Sequence, residues 1–288
     1  MPDLSNPTET LALLHKYNIT TRKRYGQNFL INRHSLDKIL NIAAIDENDC
    51  VLEIGPGIGT LTRELAKRAA KVIAVEIDCS LIPVLQETLA EYDNVVVINE
   101  DILKASLTDM VNTHRSDNNL KIVANLPYYI TTPFIMMILE SGISFSTMTV
   151  MVQKEVAARI TSTPGSKSYG ALSLAVQYHA AQHIVATVSP TCFIPRPKVD
   201  SAIVHMVKHS TPPVSTTSEE KLFTIIRAAF NQRRKTLVNA LAGGAPTLKR
   251  EAIIEALQTM YLDESIRGEA LTLPQFAELT TLLYPNIE

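Results

Sequence analysis

Between residues 49 and 153 apolar residues gather in short, nearly solid runs, each followed by a stretch with helical spacing. Residues 51–55 (VLEIG), 71–77 (KVIAVEI), 94–99 (NVVVIN), 120–125 (LKIVAN) and 148–153 (MTVMVQ) read as strands. They are apolar almost throughout rather than at alternate positions, as expected for strands buried on both faces. Residues 60–70, 80–92 and 132–141 carry apolar side chains at three- and four-residue intervals and read as helices, the last with Pro133 in its first turn. Strands alternating with such helices predict parallel βαβ units with right-handed crossovers. Two β-rich runs between 183 and 209, HIVATVS and SAIVHMVKH, are separated by Pro190, Pro195 and Pro197. They suit an antiparallel hairpin that closes the sheet.

The pattern changes after residue 210. Residues 211–220 (TPPVSTTSEE) are polar and proline-containing, a linker composition. Residues 221–241 then show helical spacing of apolar side chains, with Gly243 and Gly244 expected to stop the helix. Residues 250–260 and 271–283 predict further short helices. The expected organisation is an α/β domain over 1–210 and a small all-α domain over 219–288.

Composition narrows the classes. A chain of 288 residues with 46% hydrophobic content supports one large core and one small one. The formal net charge of −2 gives no global signal for nucleic acid, so any such signal has to be local. Cys50, Cys79 and Cys192 show no CxxC or Cys/His spacing, and neither a disulfide framework nor a metal site is expected. No apolar stretch approaches the ~20 residues of a membrane span. The polar first residues do not read as a signal peptide, and a cytoplasmic monomer is expected.

The candidate chemistry sits where strands end. The first strand runs into EIGPGIGTLT (53–62), with Gly55, Gly57 and Gly59 at the handover to a helix. Glycines there permit positive φ and close approach of a ligand to the backbone. The spacing is GxGxG with Thr60 next, which fits a dinucleotide less well, and no GK[ST] follows, which excludes a P-loop. Glu76 ends the second strand, where an acidic residue accepts from two ribose hydroxyls. Asp101, in NEDIL (99–103) with Ile102, follows the third strand and is placed to accept from an adenine amino group. Ribose and adenine without a demand for pyrophosphate point to S-adenosylmethionine. In NLPYYI (125–130), the Asn125 side-chain oxygen and the Leu126 carbonyl offer two acceptors for an amine. Pro127 stiffens the turn and Tyr128 offers a stacking face. Such a loop suits methylation of an exocyclic base nitrogen on a nucleotide taken out of its stack.

These motifs, with RYGQNFL (24–30), FIPRPKVDSA (193–202) and FNQRRKTLVNAL (230–241), closely resemble the ribosomal RNA small-subunit adenine dimethyltransferases over nearly the whole chain. The resemblance implies a Rossmann-like, mostly parallel S-adenosylmethionine-dependent methyltransferase sheet with a helical C-terminal domain. It implies conversion of two adjacent adenosines near the 3′ end of small-subunit rRNA to N6,N6-dimethyladenosine. The implied cofactor contacts are Asn28, Leu30, Gly55, Glu76, Asp101 and Asn125, with Gln27 in a lid over the methionine end. Asn125, Leu126 and Tyr128 match the target-adenine loop, and Phe193 matches a second aromatic wall for the base. Tyr129 and Thr131 depart from the family's usual Tyr-Asn-Ile-Ser.

Local charge then supplies the RNA contacts. Arg22, Lys23 and Arg24 lie in the acid-free stretch 16–33, and Arg196 and Lys198 flank Phe193. Arg227, Arg233, Arg234 and Lys235 lie on the predicted tail helix, with Arg227 and Arg234 seven apart and so on one face. Such clusters suit a phosphate-binding rim. The competing readings are a large-subunit adenine methyltransferase, a non-catalytic ribosome-assembly factor and a small-molecule methyltransferase.

Overall fold

The computed structural model describes residues 2–20, 25–115 and 119–285. Arg22, Lys23 and Arg24 therefore lie outside the described residues. The strands are β1 (Phe29–Leu30), β2 (Asp49–Ile54), β3 (Lys71–Glu76), β4 (Val95–Asn99), β5 (Asn119–Asn125), β6 (Thr147–Gln153), β7 (Ala180–Val188), β8 (Phe193–Ile194) and β9 (Ser201–Lys208). Seven of them form one sheet in the order β4-β3-β2-β5-β6-β9-β7, while β1 and β8 pair separately and antiparallel. The pairs β2–β3, β2–β5, β3–β4 and β5–β6 are parallel, and β9 runs antiparallel to β6. The expected α/β fold with an antiparallel end to its sheet is what forms.

The order places β2 centrally, and every residue of β2 is buried. That is why its sequence is apolar without alternation. Against the sheet packs the helix Arg33–Ala43, whose Leu36, Ile39, Leu40 and Ala43 are buried at helical spacing. Asn32 caps its start by accepting from Ser35 N at 2.8 Å. An N-terminal helix, Pro7–Lys16, buries Leu13 and Leu14 in a cluster with Phe29, Ile58 and Leu81. Its side chains so pack against the Gly57–Gly59 loop itself. Neither helix was evident from the hydrophobic pattern alone.

The chain packs as two compact units, 1–157 with 182–208, and 158–181 with 209–288. One division falls at 208/209, close to the expected 210; the inclusion of 158–181 in the second unit was not expected. Residues 158–181, including the helix Ala171–His179, go with the C-terminal helices. Tyr169 shows why: it is fully buried, its hydroxyl donates to the Leu271 carbonyl at 2.9 Å, and its ring meets Phe230 edge-on.

The predicted single helix over 221–241 is two helices, Glu219–Asn231 and Leu237–Gly244. Thr236 starts the second by capping Asn239 N, while Gln232 has left helical dihedrals at φ −124° and ψ 52°. Arg233, Arg234 and Lys235 thus lie in the connection, and their seven-residue relation to Arg227 no longer defines a shared face. Gly243 and Gly244 belong to the second helix rather than stopping it. A Cβ on Gly244 would stand 2.8 Å from the Ala228 Cβ, so the glycine allows close helix packing.

Candidate active site

A cleft opens at the carboxyl ends of β2, β3, β4 and β5. Open parallel sheets bind ligands at that edge. It is lined by the 25–30 segment, the glycine loop, Glu76, Asp101, Ile102 and residues 125–130. Of the residues expected at the cofactor, Gln27, Asn28, Leu30, Gly55, Gly57, Glu76, Asp101, Ile102 and Asn125 line it. Gly59 does not; it has φ +89° and begins the helix Thr60–Ala66.

The glycine loop is built for close approach. Gly55 and Gly57 have φ of +69° and +61°, which side-chain-bearing residues rarely adopt. A Cβ on Gly55 would meet Pro127 Cγ at 3.1 Å, and one on Gly57 would meet the Phe29 ring at 3.0 Å. The backbone of the loop is fixed in turn: Gly55 N donates to the Val75 carbonyl at 2.9 Å and Gly57 N to Glu76.

Glu76 is buried at 5% exposure, and its two oxygens accept from Asp78 N at 2.8 Å and Gly57 N at 3.3 Å. Burial pushes its carboxyl up to about 7, and the Asp78 charge adds to the rise, while the two backbone bonds oppose it. Asp78 is in turn held by Gln27, whose amide donates to Asp78 Oδ2 at 2.7 Å. Gln27 so ties the 25–30 segment to the end of β3.

Glu53, near the end of β2, lines the same cleft and was missed by sequence reading. It is 1% exposed, and its Oε2 has no hydrogen-bond partner among the described residues. Burial pushes it up to about 8, and the neighbouring Glu76 charge adds to this. Thr62 pulls the other way, though its buried hydroxyl also lacks hydrogen-bond geometry to any partner. The only signal for Glu53 was an acidic residue inside an otherwise apolar strand.

Asp101 has two tasks. Its Oδ1 accepts from Leu103 N at 3.1 Å, which closes the local turn, and its carboxylate also lines the cleft. Lys104 approaches its other oxygen at 3.8 Å from an exposed position.

The Asn125 loop is held from two sides. Asn125 Nδ2 donates to the Asn28 carbonyl at 3.1 Å, which leaves its oxygen as the group available to accept a hydrogen bond. Leu126 N donates to the Met151 carbonyl at 3.1 Å, and the Leu126 side chain is buried. Tyr128 is half-buried, and its hydroxyl shares a 2.8 Å hydrogen bond with Ser201 Oγ at the start of β9. Burial raises its phenol pKa, and the Ser201 bond partly offsets that.

Phe193 is not a wall of this cleft. It is 1% exposed, packed with Leu30, Leu36, Met151 and Ile203. The β1–β8 pairing sets Phe193 opposite Leu30, and strand alternation turns its ring into the core. Arg196 and Lys198 follow on an exposed stretch. In the second unit Arg234 and Lys235 are exposed, but Arg233 is engaged: its Nε donates to Glu269 at 2.7 Å and its Nη2 to the Ser166 carbonyl at 3.3 Å. Arg227 is exposed on the helix Glu219–Asn231.

Among the described residues, no group of three His, Cys, Asp or Glu stands close enough to hold a metal. Nor is any described helix long and apolar enough to cross a membrane. The donor set instead fits a nucleoside carrying a cationic methionine arm. Carboxylates suit ribose hydroxyls and an amino group, and a glycine cradle that a Cβ would fill suits a closely held chain.

The sequence profile of the family described as ribosomal RNA adenine dimethylase matches residues 18–277. The protein from Lachnoclostridium phytofermentans named ribosomal RNA small subunit methyltransferase A is 52% identical over 98% of this chain and 98% of its own. The protein of that name from Streptococcus pneumoniae is 48% identical over 95% and 96%. Among solved structures, a dimethyladenosine transferase from Plasmodium falciparum superposes with a TM-score of 0.73 at 26% identity, covering 87% of this chain and 95% of that one. The 23S rRNA methyltransferase ErmE reaches a TM-score of 0.65 at 27% identity over 89% and 99%.

Proposed function

The chain belongs to the ribosomal RNA adenine dimethylase family, and from that premise we propose that it dimethylates the N6 amino groups of two adjacent adenosines near the 3′ end of small-subunit rRNA, with S-adenosylmethionine as cofactor. The observation that carries the reading is the held geometry of Asn125. Its amide nitrogen is occupied by Asn28, so its oxygen is oriented as an acceptor at the end of a parallel strand.

An adenine N6 is a poor nucleophile because its lone pair is delocalised into the ring. Acceptors at Asn125 Oδ1 and the Leu126 carbonyl bind its two N–H groups and favour a tetrahedral nitrogen, which frees the lone pair. The Tyr128 ring, anchored through its hydroxyl, supplies the face on which the extruded base stacks. Glu76 accepts from the ribose hydroxyls and Asp101 from the adenine amino group of the cofactor. S-adenosylmethionine supplies, when bound, a methyl group already activated on a sulfonium. The protein's task is therefore alignment rather than acid–base catalysis. Once N6 has taken the methyl group it is positively charged and strongly acidic, and water suffices to take its proton.

The likeness to a 23S rRNA methyltransferase keeps a large-subunit substrate as the second reading. Methyl transfer from labelled cofactor to undermethylated small subunits, large subunits and free rRNA separates the two. Label confined to small-subunit rRNA, with N6,N6-dimethyladenosine as the product, is expected. Label on large-subunit rRNA alone would overturn the proposal.

A further inference from the structure

We propose that Tyr129, and not only the carboxylates around it, retains the cofactor by closing the nucleoside end of the cleft with its ring. This rests on the cofactor reading above. Tyr128 and Tyr129 are neighbours in one turn, yet their side chains meet different partners. Tyr128 reaches Ser201 on β9. Tyr129 lies on the side of the 25–30 segment and of Asp101 and Glu76. A Cβ built on Gly26 would stand 3.7 Å from its Cδ1, and Tyr25, Glu76 and Asp101 line the cleft with it. Burial raises the Tyr129 phenol, and the Asp101, Glu76 and Tyr25 charges add to the rise, in that order.

The ring is nonetheless 46% exposed, and among the described residues it is a large apolar side chain both open to water and part of the cleft wall. An aromatic ring with one face on the protein and the other uncovered gains contact area when a flat or ribose-bearing ligand slides beneath it. Its place beside the two groups assigned to ribose and adenine makes that ligand the cofactor's nucleoside. Gly26 has φ +57°, and a Cβ built on it would stand at van der Waals distance from the ring, so the 25–30 segment and Tyr129 meet in the cleft wall. Covering the mouth excludes water from the hydrogen bonds to Glu76 and Asp101, which strengthens them.

The test is calorimetry on the full chain with S-adenosylmethionine and with S-adenosylhomocysteine. It compares wild type, Tyr129→Asn and Tyr129→Phe, with melting of the unligated proteins as a folding control. Tyr129→Asn is expected to weaken both ligands about tenfold, the equivalent of one aromatic contact. Tyr129→Phe keeps the ring and should stay within about threefold of wild type. In methyl transfer to small subunits, the KM for S-adenosylmethionine should rise in Tyr129→Asn by a factor similar to the loss in affinity, and by more than kcat falls. Affinities in Tyr129→Asn within twofold of wild type would overturn the inference. So would a loss that appears only in the rate at saturating cofactor, because the ring would then face the target base. A wild-type chain that binds neither ligand would overturn the cofactor reading itself, and this inference with it.

Discussion

The cleft and the 232–236 connection both concentrate polar groups, but they hold them differently. In the cleft, Glu53, Glu76 and Asn125 are buried or half-buried, and each is set by a strand end. The partners of Asn125 and Glu76 come from segments far away in sequence, Asn28 and Gly57. In the connection, the Arg234 and Lys235 side chains are exposed, while Arg233 is fastened to Glu269. A buried polar group acts through geometry in a low dielectric, where each hydrogen bond is strong and each vacancy costly. An exposed cation acts through its field, which salt screens within about 8–10 Å. Substitutions in the first region should therefore change one step by a large factor. Those in the second should change an affinity gradually and in a salt-dependent way.

The largest effect is expected at Asn125. Asn125→Ala should lower the single-turnover rate of methyl transfer by about 10²–10³, the usual loss when one oriented hydrogen-bonding group is removed from a transition state. Cofactor affinity and affinity for small subunits should stay within a few-fold of wild type, since alignment matters most in the transition state. If rate and RNA affinity fell together, Asn125 would be a binding residue and the contrast between the regions would blur.

Glu76 comes next. Glu76→Ala should weaken cofactor binding by roughly 1.5–3 kcal/mol, the range for hydrogen bonds to a charged group. Its carboxyl titrates near 7 in the unligated protein because burial disfavours the charge. Ribose hydroxyls donate to the ionised form, so wild-type affinity should fall as pH drops from about 8 to 6, with proton release on binding. Calorimetry in buffers of different ionisation enthalpy measures that release. A pH-independent affinity would mean the ribose is held elsewhere.

How far the chemistry could be read without coordinates follows the same division. The strand ends carrying Gly55, Glu76, Asp101 and Asn125 were legible because parallel strands are apolar runs and their ends are abrupt. The α/β fold followed from the same alternation. What could not be read depended on packing between distant segments. Phe193 was expected at the base, but pairing of β8 with β1 buries it. Helical spacing carried the tail helix through 232–236, because periodicity does not register a Thr cap in mid-pattern. Residues 158–181 carry no sequence boundary, and long-range packing, such as that of Tyr169 against Phe230 and Leu271 and of Tyr178 against Phe223, explains why they fold with the C-terminal helices. Glu53 was overlooked because a single acid in an apolar run looks like a strand end.

Glu53 tests the buried side of the comparison through stability. Its folded carboxyl titrates near 8, above the ordinary range near 4.5, so the folded state binds more protons than the unfolded state between those values. Stability of the unligated protein should thus fall as pH rises through that window and level off above it. Glu76 adds to the decline up to about 7. Glu53→Gln removes the first contribution, so its melting temperature should decline less between pH 6 and 8.5 than that of wild type. Parallel curves would assign the titration to another group.

The smallest effect, and the one that probes the exposed side, belongs to the connection. Arg234 and Lys235 have exposed side chains, and two phosphate contacts would contribute about −2 to the slope of log K against log salt. Neutralising both to Gln should flatten that slope for small-subunit binding by about two and leave the melting temperature nearly unchanged. Arg233 should behave in the opposite way. Its ion pair with Glu269 and its bond to the Ser166 carbonyl join three stretches of the second unit. Arg233→Gln should lower the melting temperature while moving the salt slope by less than one unit. The pair is only part-buried, with both partners about a third exposed, so solvent screening limits the loss to roughly 1 kcal/mol or less. An identical salt response for Arg233→Gln and for the Arg234–Lys235 double variant would mean that Glu269 releases Arg233 to the RNA. The connection would then act as one cationic patch, and the division between a fastened arginine and two exposed cations would fail.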